Sequence, residues 1–196
     1  MSLNYDFVLE DALEQFLLSK WHYPHVHTRI ERSTSGVRVL KPHGSLNWCF
    51  RGNVPPVEIG TDYRLDSVPN ENFECNRFNQ AMIIEPTQVK EVLNVRETQR
   101  RETAGLFSNI WRSMFDALVQ AKRVFVIGYS FPSTDHHLRT LLRLVNERKN
   151  GGYEEVHCCT MADGKEAEVF DGARKLFPCA NEPHLDASGF GKFVQD

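Results

Sequence analysis

An imidazole next to a glycine, at the end of a short strand, is where this sequence offers its clearest chemistry. His43 lies in Lys41-Pro42-His43-Gly44-Ser45, after Val37 and Val39, whose alternation with Arg38 reads as a strand. A histidine titrates near neutrality and can accept a proton from a hydroxyl or a water. The plainer reading is a strand-end histidine hydrogen-bonded to backbone. Three more segments carry polar groups where open parallel sheets bind ligands, at strand carboxyl ends beside helix N-termini. Asn4 and Asp6 precede the first helical pattern, Gly128 and Ser130 follow the clearest strand, and Asp163 follows the next one. Each also has a structural reading: helix caps for Asn4 and Asp6, turn residues for Gly128 and Ser130.

Two other groupings point away from chemistry. His22, His25 and His27 have a His-x-x-His-x-His spacing, yet no thiolate or carboxylate sits at ligand spacing beside them. A solvated loop is expected there, and no metal. The five cysteines (Cys49, Cys75, Cys158, Cys159, Cys179) form no Cys-x-x-Cys pair and are odd in number, which argues against a disulfide framework or a zinc ribbon. Cys158 and Cys159 lie in an apolar run that suits buried free thiols, so a reducing cytoplasm is the expected compartment.

The elements that must position these residues follow from periodicity. Val8, Leu9, Ala12, Leu13, Phe16 and Leu17 recur at helical spacing over 7–20. Residues 21–35 are polar and read as a connection. Leu46, Trp48 and Phe50 alternate as a second short strand, and 51–80 reads as an irregular insert with one strand near 57–59. Met82-Ile83-Ile84 suggests a buried strand ended by Glu85-Pro86. Thr103 to Ala121 is a helix with Phe107, Ile110, Trp111, Met114, Phe115 and Leu118 on one stripe, a core face. Arg96 to Arg101 mixes charge signs as a solvated helix start does. The run Val124-Phe125-Val126-Ile127 predicts a parallel strand buried on both faces. Ser133 or Thr134 can cap a helix bearing Leu138, Leu141, Leu142 and Val145, which Gly151-Gly152 ends. A strand over 155–161 and a helix over 165–176 complete the series. The alternation predicts an α/β fold, a Rossmann-like parallel sheet with flanking helices. It is read as one partial domain over 1–196.

A formal charge of −3 offers no electrostatic footprint for nucleic acid or an anionic membrane, and no apolar run reaches bilayer length. The mix of 41% hydrophobic and 25% charged residues is that of an ordinary globular chain.

Four segments in order carry a resemblance: Leu3-Asn4-Tyr5-Asp6, then Lys41 through Trp48, then Ile84-Glu85-Pro86-Thr87, and Val126 through Asp135. Together they resemble the sirtuin-like (DHS-like) NAD-binding superfamily, particularly its bacterial branch without the zinc module. The resemblance implies NAD as co-substrate. It implies that Asn4 and Asp6 belong to an Asn-x-Asp motif at the nicotinamide ribose, and that His43 draws a proton from a ribose hydroxyl. It further implies that Gly128 and Ser130 lie against the nucleotide ribose and phosphate, with an adenine-side contact near Asp163. These residue types suit the chemistry. Breaking the nicotinamide–ribose bond builds positive charge on the sugar, an imidazole takes up the proton, and an amide such as Asn4 holds a hydroxyl without adding charge.

Water as acceptor gives an NAD hydrolase, the activity that the zinc-less branch implies. An acyl-lysine oxygen would give an NAD-dependent protein deacylase. A non-catalytic module binding NAD or ADP-ribose is the third reading. The family's glycine-rich pyrophosphate loop has no counterpart here, and Gly189-Phe190-Gly191 lacks a strand–helix setting. The chain therefore reads as truncated at its N-terminus, inactive by itself, and prone to self-association through an unpaired sheet edge.

Overall fold

A computed structural model describes residues 1–4, 8–17, 20–26, 36–45, 48–51, 58–60, 82–83, 97–149, 151–161, 164–178 and 182–188. They fall in two compact units, Met1–Glu85 with Val89–Met114, and Pro86–Gln88 with Phe115–Asp196.

The first unit holds helix α1 (Val8–Leu17) and six short strands, β1 (Trp21–His22), β2 (Val37–Arg38), β3 (Gly44–Ser45), β4 (Cys49–Arg51), β5 (Glu58–Gly60) and β6 (Met82–Ile83). Helix α2 (Glu97–Gln120) supplies its last element. β1 pairs in parallel with β2, while β3 with β6 and β4 with β5 are antiparallel. Trp21 and His22 lie in a stretch expected to be a solvated connection, and the structure corrects that. Both are buried, and Trp21 pairs with Val37. An aromatic chain explains the burial: Trp21 meets Tyr23 edge-on at 5.4 Å, Tyr23 meets Trp48 at 5.2 Å, and Trp48 lies 6.4 Å from Phe107 of α2. Such pairs add about 0.5–1.5 kcal/mol each beyond the area they bury. His25 is bonded to Ser113 Oγ at 2.7 Å, and His27 lies outside the described residues. α1 also differs from its periodicity, because Val8 and Phe16 are 71% and 82% exposed while Glu10 is buried.

The second unit is an α/β layer of Rossmann-like character. Strands β7 (Arg123–Ile127), β8 (Glu155–Cys159) and β9 (His184–Asp186) form a parallel sheet in that order. Helices α3 (His136–Arg148) and α4 (Glu166–Leu176) are packed together, and Asn146 Nδ2 donates to Leu176 O at 3.0 Å. α3 buries Leu138, Leu141, Leu142 and Val145, each worth about 1.5–3 kcal/mol. Its N-cap is Asp135, not Ser133 or Thr134. Lys149 ends the same helix and donates to Val119 O and Ala121 O at 3.0 and 2.5 Å, satisfying carbonyls at the C-terminus of α2.

β7 was expected to be buried on both faces, and it is not. Val126 faces inward in register with the buried Cys158, whereas Phe125 and Ile127 are 54% and 47% exposed. On the open face Phe125, His157 and His184 share one row and stack at 4.6 and 4.5 Å. A sheet with one buried face keeps a two-residue alternation, which the apolar Phe125 and Ile127 disguise in the sequence.

Two predictions arise from this packing. A Cβ added at Gly172 on α4 would lie 3.0 Å from both Cβ and Cγ of Phe131, a ring that is itself buried. Alanine ordinarily gains about 1 kcal/mol over glycine inside a helix. Here overpacking of about 1–3 kcal/mol outweighs that gain, and Gly172→Ala is expected to lower the thermal midpoint. A rise would show that Phe131 can yield.

Burial, with Cys159 adjacent, pushes the Cys158 thiol up to about 11, and burial followed by the charge of Asp186 raises Cys159. At pH 8 iodoacetamide is expected to label Cys158 roughly a hundredfold more slowly in the folded than in the denatured chain, and Cys159 more slowly as well, as site-resolved mass spectrometry reads it. Equal rates would contradict the burial. The unfolded chain loses these protons more readily, so the stability they contribute is complete below about pH 9 and is lost as pH rises through about 11.

Candidate functional site

The segment that carries His43 is a closed turn. Pro42 fixes one φ, Gly44 N donates to Lys41 O at 3.1 Å, and Gly44 has φ +86, a conformation that favours glycine. β3 then pairs with β6 through Gly44 and Ile83. His43 is 3% exposed, and its ring meets Trp111 of α2 edge-on at 5.9 Å. An imidazole held this way has few rotamers open to it, which favours one fixed direction for a proton transfer.

Four further side chains meet at the turn. Lys41, fully buried, donates from Nζ to Glu10 Oε1 at 2.8 Å and to Ser45 Oγ at 2.9 Å. Tyr23 OH donates to the same Glu10 oxygen. Among the described residues Glu10 Oε2 has no hydrogen-bond partner. None of these residues was singled out from the sequence. The available signal was a glutamate inside the apolar stripe of α1 and a lysine inside the His43 motif.

Asn4 is exposed, and its backbone N–H donates to Ser2 Oγ at 3.3 Å. Ser2 N in turn donates to Leu40 O at 2.9 Å, so the residues before α1 are fastened beside the strand that runs into Lys41. This bond ties Ser2, two residues before Asn4, to Leu40, three residues before His43. Asp6 lies outside the described residues.

In the second unit, Gly128 and Ser130 are exposed at the carboxyl end of β7. Gly128 N donates to Cys159 O at 3.0 Å, continuing the ladder, and Gly128 has φ +64 with no described residue within 4 Å of where a Cβ would stand. Tyr129 and Asp135 brace this turn: Tyr129 OH donates to Asp135 Oδ2 at 3.0 Å, and Asp135 Oδ1 accepts from Leu138 N at 3.2 Å. Burial first, and then the Asp135 charge, hold the Tyr129 hydroxyl far above the usual phenol range, so it keeps the proton it donates to Asp135. Phe131 has φ +53, unusual for a bulky residue, and Arg139 Nη1 holds its carbonyl at 3.3 Å. Strain of this kind, of order 1–3 kcal/mol, is characteristic of turns that a ligand must meet. Asp163 lies outside the described residues.

The sequence-predicted residues therefore divide between the units, Asn4 and His43 in the first, Gly128 and Ser130 in the second. Among the described residues no three His, Cys, Asp or Glu side chains gather as a metal ion would need, and no helix is long and apolar enough to cross a membrane.

A family model described as the SIR2-like domain matches residues 1–176. No curated protein and no solved structure matches.

Proposed function

Because the chain belongs to the SIR2-like family and its role is NAD-related, we propose that in the intact protein it cleaves the bond between nicotinamide and ribose of NAD, with water as acceptor. The observation that carries this reading is the His43 turn, a buried imidazole held against Trp111, with the Asn4 segment fastened alongside. In this reading the C–N bond breaks with its electron pair going to nicotinamide, which leaves neutral. His43 takes the proton from a ribose hydroxyl as positive charge builds on the ring; water oxygen then bonds to the sugar carbon and passes one of its protons to that ribose oxygen, and His43 later gives its proton to solvent. Asn4 and Asp6 hold the ribose and the water in place. Gly128 and Ser130 lie against the nucleotide ribose and phosphate, where the open space at Gly128 leaves room for close approach. Asp163 lies on the adenine side. The free, buried thiols Cys158 and Cys159 suit a reducing compartment such as the cytoplasm.

The test is a time course of the intact protein with NAD, separating nicotinamide, ADP-ribose and, when an acyl-lysine peptide is added, acylated ADP-ribose. Equal release of nicotinamide and ADP-ribose without peptide supports hydrolysis. Release that depends on the peptide would replace it with deacylation. Calorimetric binding of NAD with no nicotinamide released over hours would make the chain a binding module.

A further inference from the structure

We propose that Lys41, Glu10 and Ser45 form a clasp that positions His43, an inference that rests on reading His43 as the proton acceptor. Lys41 and Ser45 stand two residues before and two residues after His43, and the Nζ–Oγ hydrogen bond of 2.9 Å joins them across the turn. The backbone bond from Gly44 N to Lys41 O closes the same loop from inside. Two closures on one five-residue segment leave the Cα–Cβ direction of His43 little freedom. The third point of the clasp lies on another element. Glu10 on α1 accepts from Lys41 at 2.8 Å and also from Tyr23 OH. α1 begins four positions after Asn4 in the sequence, so the clasp joins the helix that comes after Asn4 to the His43 turn.

Stability alone does not account for such a group. Glu10, Tyr23, Lys41 and Ser45 are all at least nine-tenths buried. An ion pair placed there is commonly no more stable than apolar side chains of similar volume. What apolar side chains cannot supply is direction: three hydrogen bonds on Glu10 Oε1 and Lys41 Nζ specify one arrangement of α1, the chain at Tyr23 and the His43 turn. Lys41, Glu10 and Ser45 are therefore positioning residues, acting through His43.

The test uses two variants of the intact protein. Ser45→Ala cuts the bond across the turn and leaves the Glu10–Lys41 pair intact. The triple variant Glu10→Leu/Tyr23→Phe/Lys41→Met replaces the other three members with apolar side chains and strands no charge. For each, kcat and KM for NAD are measured separately, together with the thermal midpoint and the ring Cε1–H signal of His43 in the NMR spectrum, assigned by its loss in His43→Ala. Misplacement of a reacting group by about 1 Å can cost on the order of a hundredfold, so kcat is expected to fall at least about tenfold while KM stays within roughly twofold. The His43 signal is expected to shift and broaden, with the midpoint little changed. Folded variants with wild-type kcat and an unmoved His43 signal would overturn the clasp. If the intact wild-type protein releases no nicotinamide, the hydrolase reading fails, and the NMR signal alone then decides the clasp.

Discussion

His43→Ala is expected to slow nicotinamide release from NAD by about a hundredfold to ten-thousandfold, the range a positioned general base contributes. The ring is 3% exposed and packs on Trp111, so its removal also empties a space in the first unit. Two controls separate these effects. His43→Gln keeps most of the volume and a polar end but cannot take up a proton near neutrality, and it is expected to be as inactive as the alanine variant. Binding of NAD, measured by calorimetry, is expected to persist in both variants, because the contacts proposed for Gly128 and Ser130 do not involve the imidazole. Turnover within a few-fold of wild type in either variant would remove His43 from the proton-accepting role.

The second large effect is on stability. Lys41→Met leaves the Glu10 carboxylate in the interior with only Tyr23 OH as donor among the described groups, and removing one partner of a buried pair costs about 3–5 kcal/mol. Chemical denaturation is expected to show a loss of that size. The Glu10→Leu/Tyr23→Phe/Lys41→Met triple variant, which leaves no charge stranded, is expected to recover most of it. If the triple variant were as unstable as the single one, the cost would lie in packing and not in the unpaired charge. For comparison, the exposed pair Lys122–Glu154, at 3.0 Å, belongs to a class worth at most about 1 kcal/mol.

These effects mark where the sequence was transparent and where it was opaque. The series from α2 through α4 could be read from periodicity, because helices of 11 to 24 residues repeat their apolar stripe several times. β1 and β9 could not, since two or three residues such as Trp21-His22 or His184-Leu185-Asp186 hold no period. Both owe their pairing to partners distant in the chain, Trp21 to Val37 and Leu185 to Cys158. The His43 motif was conspicuous because it is contiguous. Its supports were hidden because Glu10 and Lys41 lie 31 positions apart, and a glutamate in an amphipathic helix is ordinarily assigned to water. The α3 cap shows the same limit at short range. Ser133, Thr134 and Asp135 are all suitable cap residues, and what distinguishes Asp135 is that Tyr129 reaches its second oxygen.

Phe131 and Gly172 carry a consequence for how the sequence can drift. Residue 131 combines a backbone that favours glycine or asparagine with a burial that demands a large ring, and residue 172 is small because that ring rests on it. Neither position can change first without harm: a side chain at 172 strikes the ring, and a smaller residue at 131 leaves a hole beside α4. The two positions are thus coupled, so the costs of changing them are not expected to add.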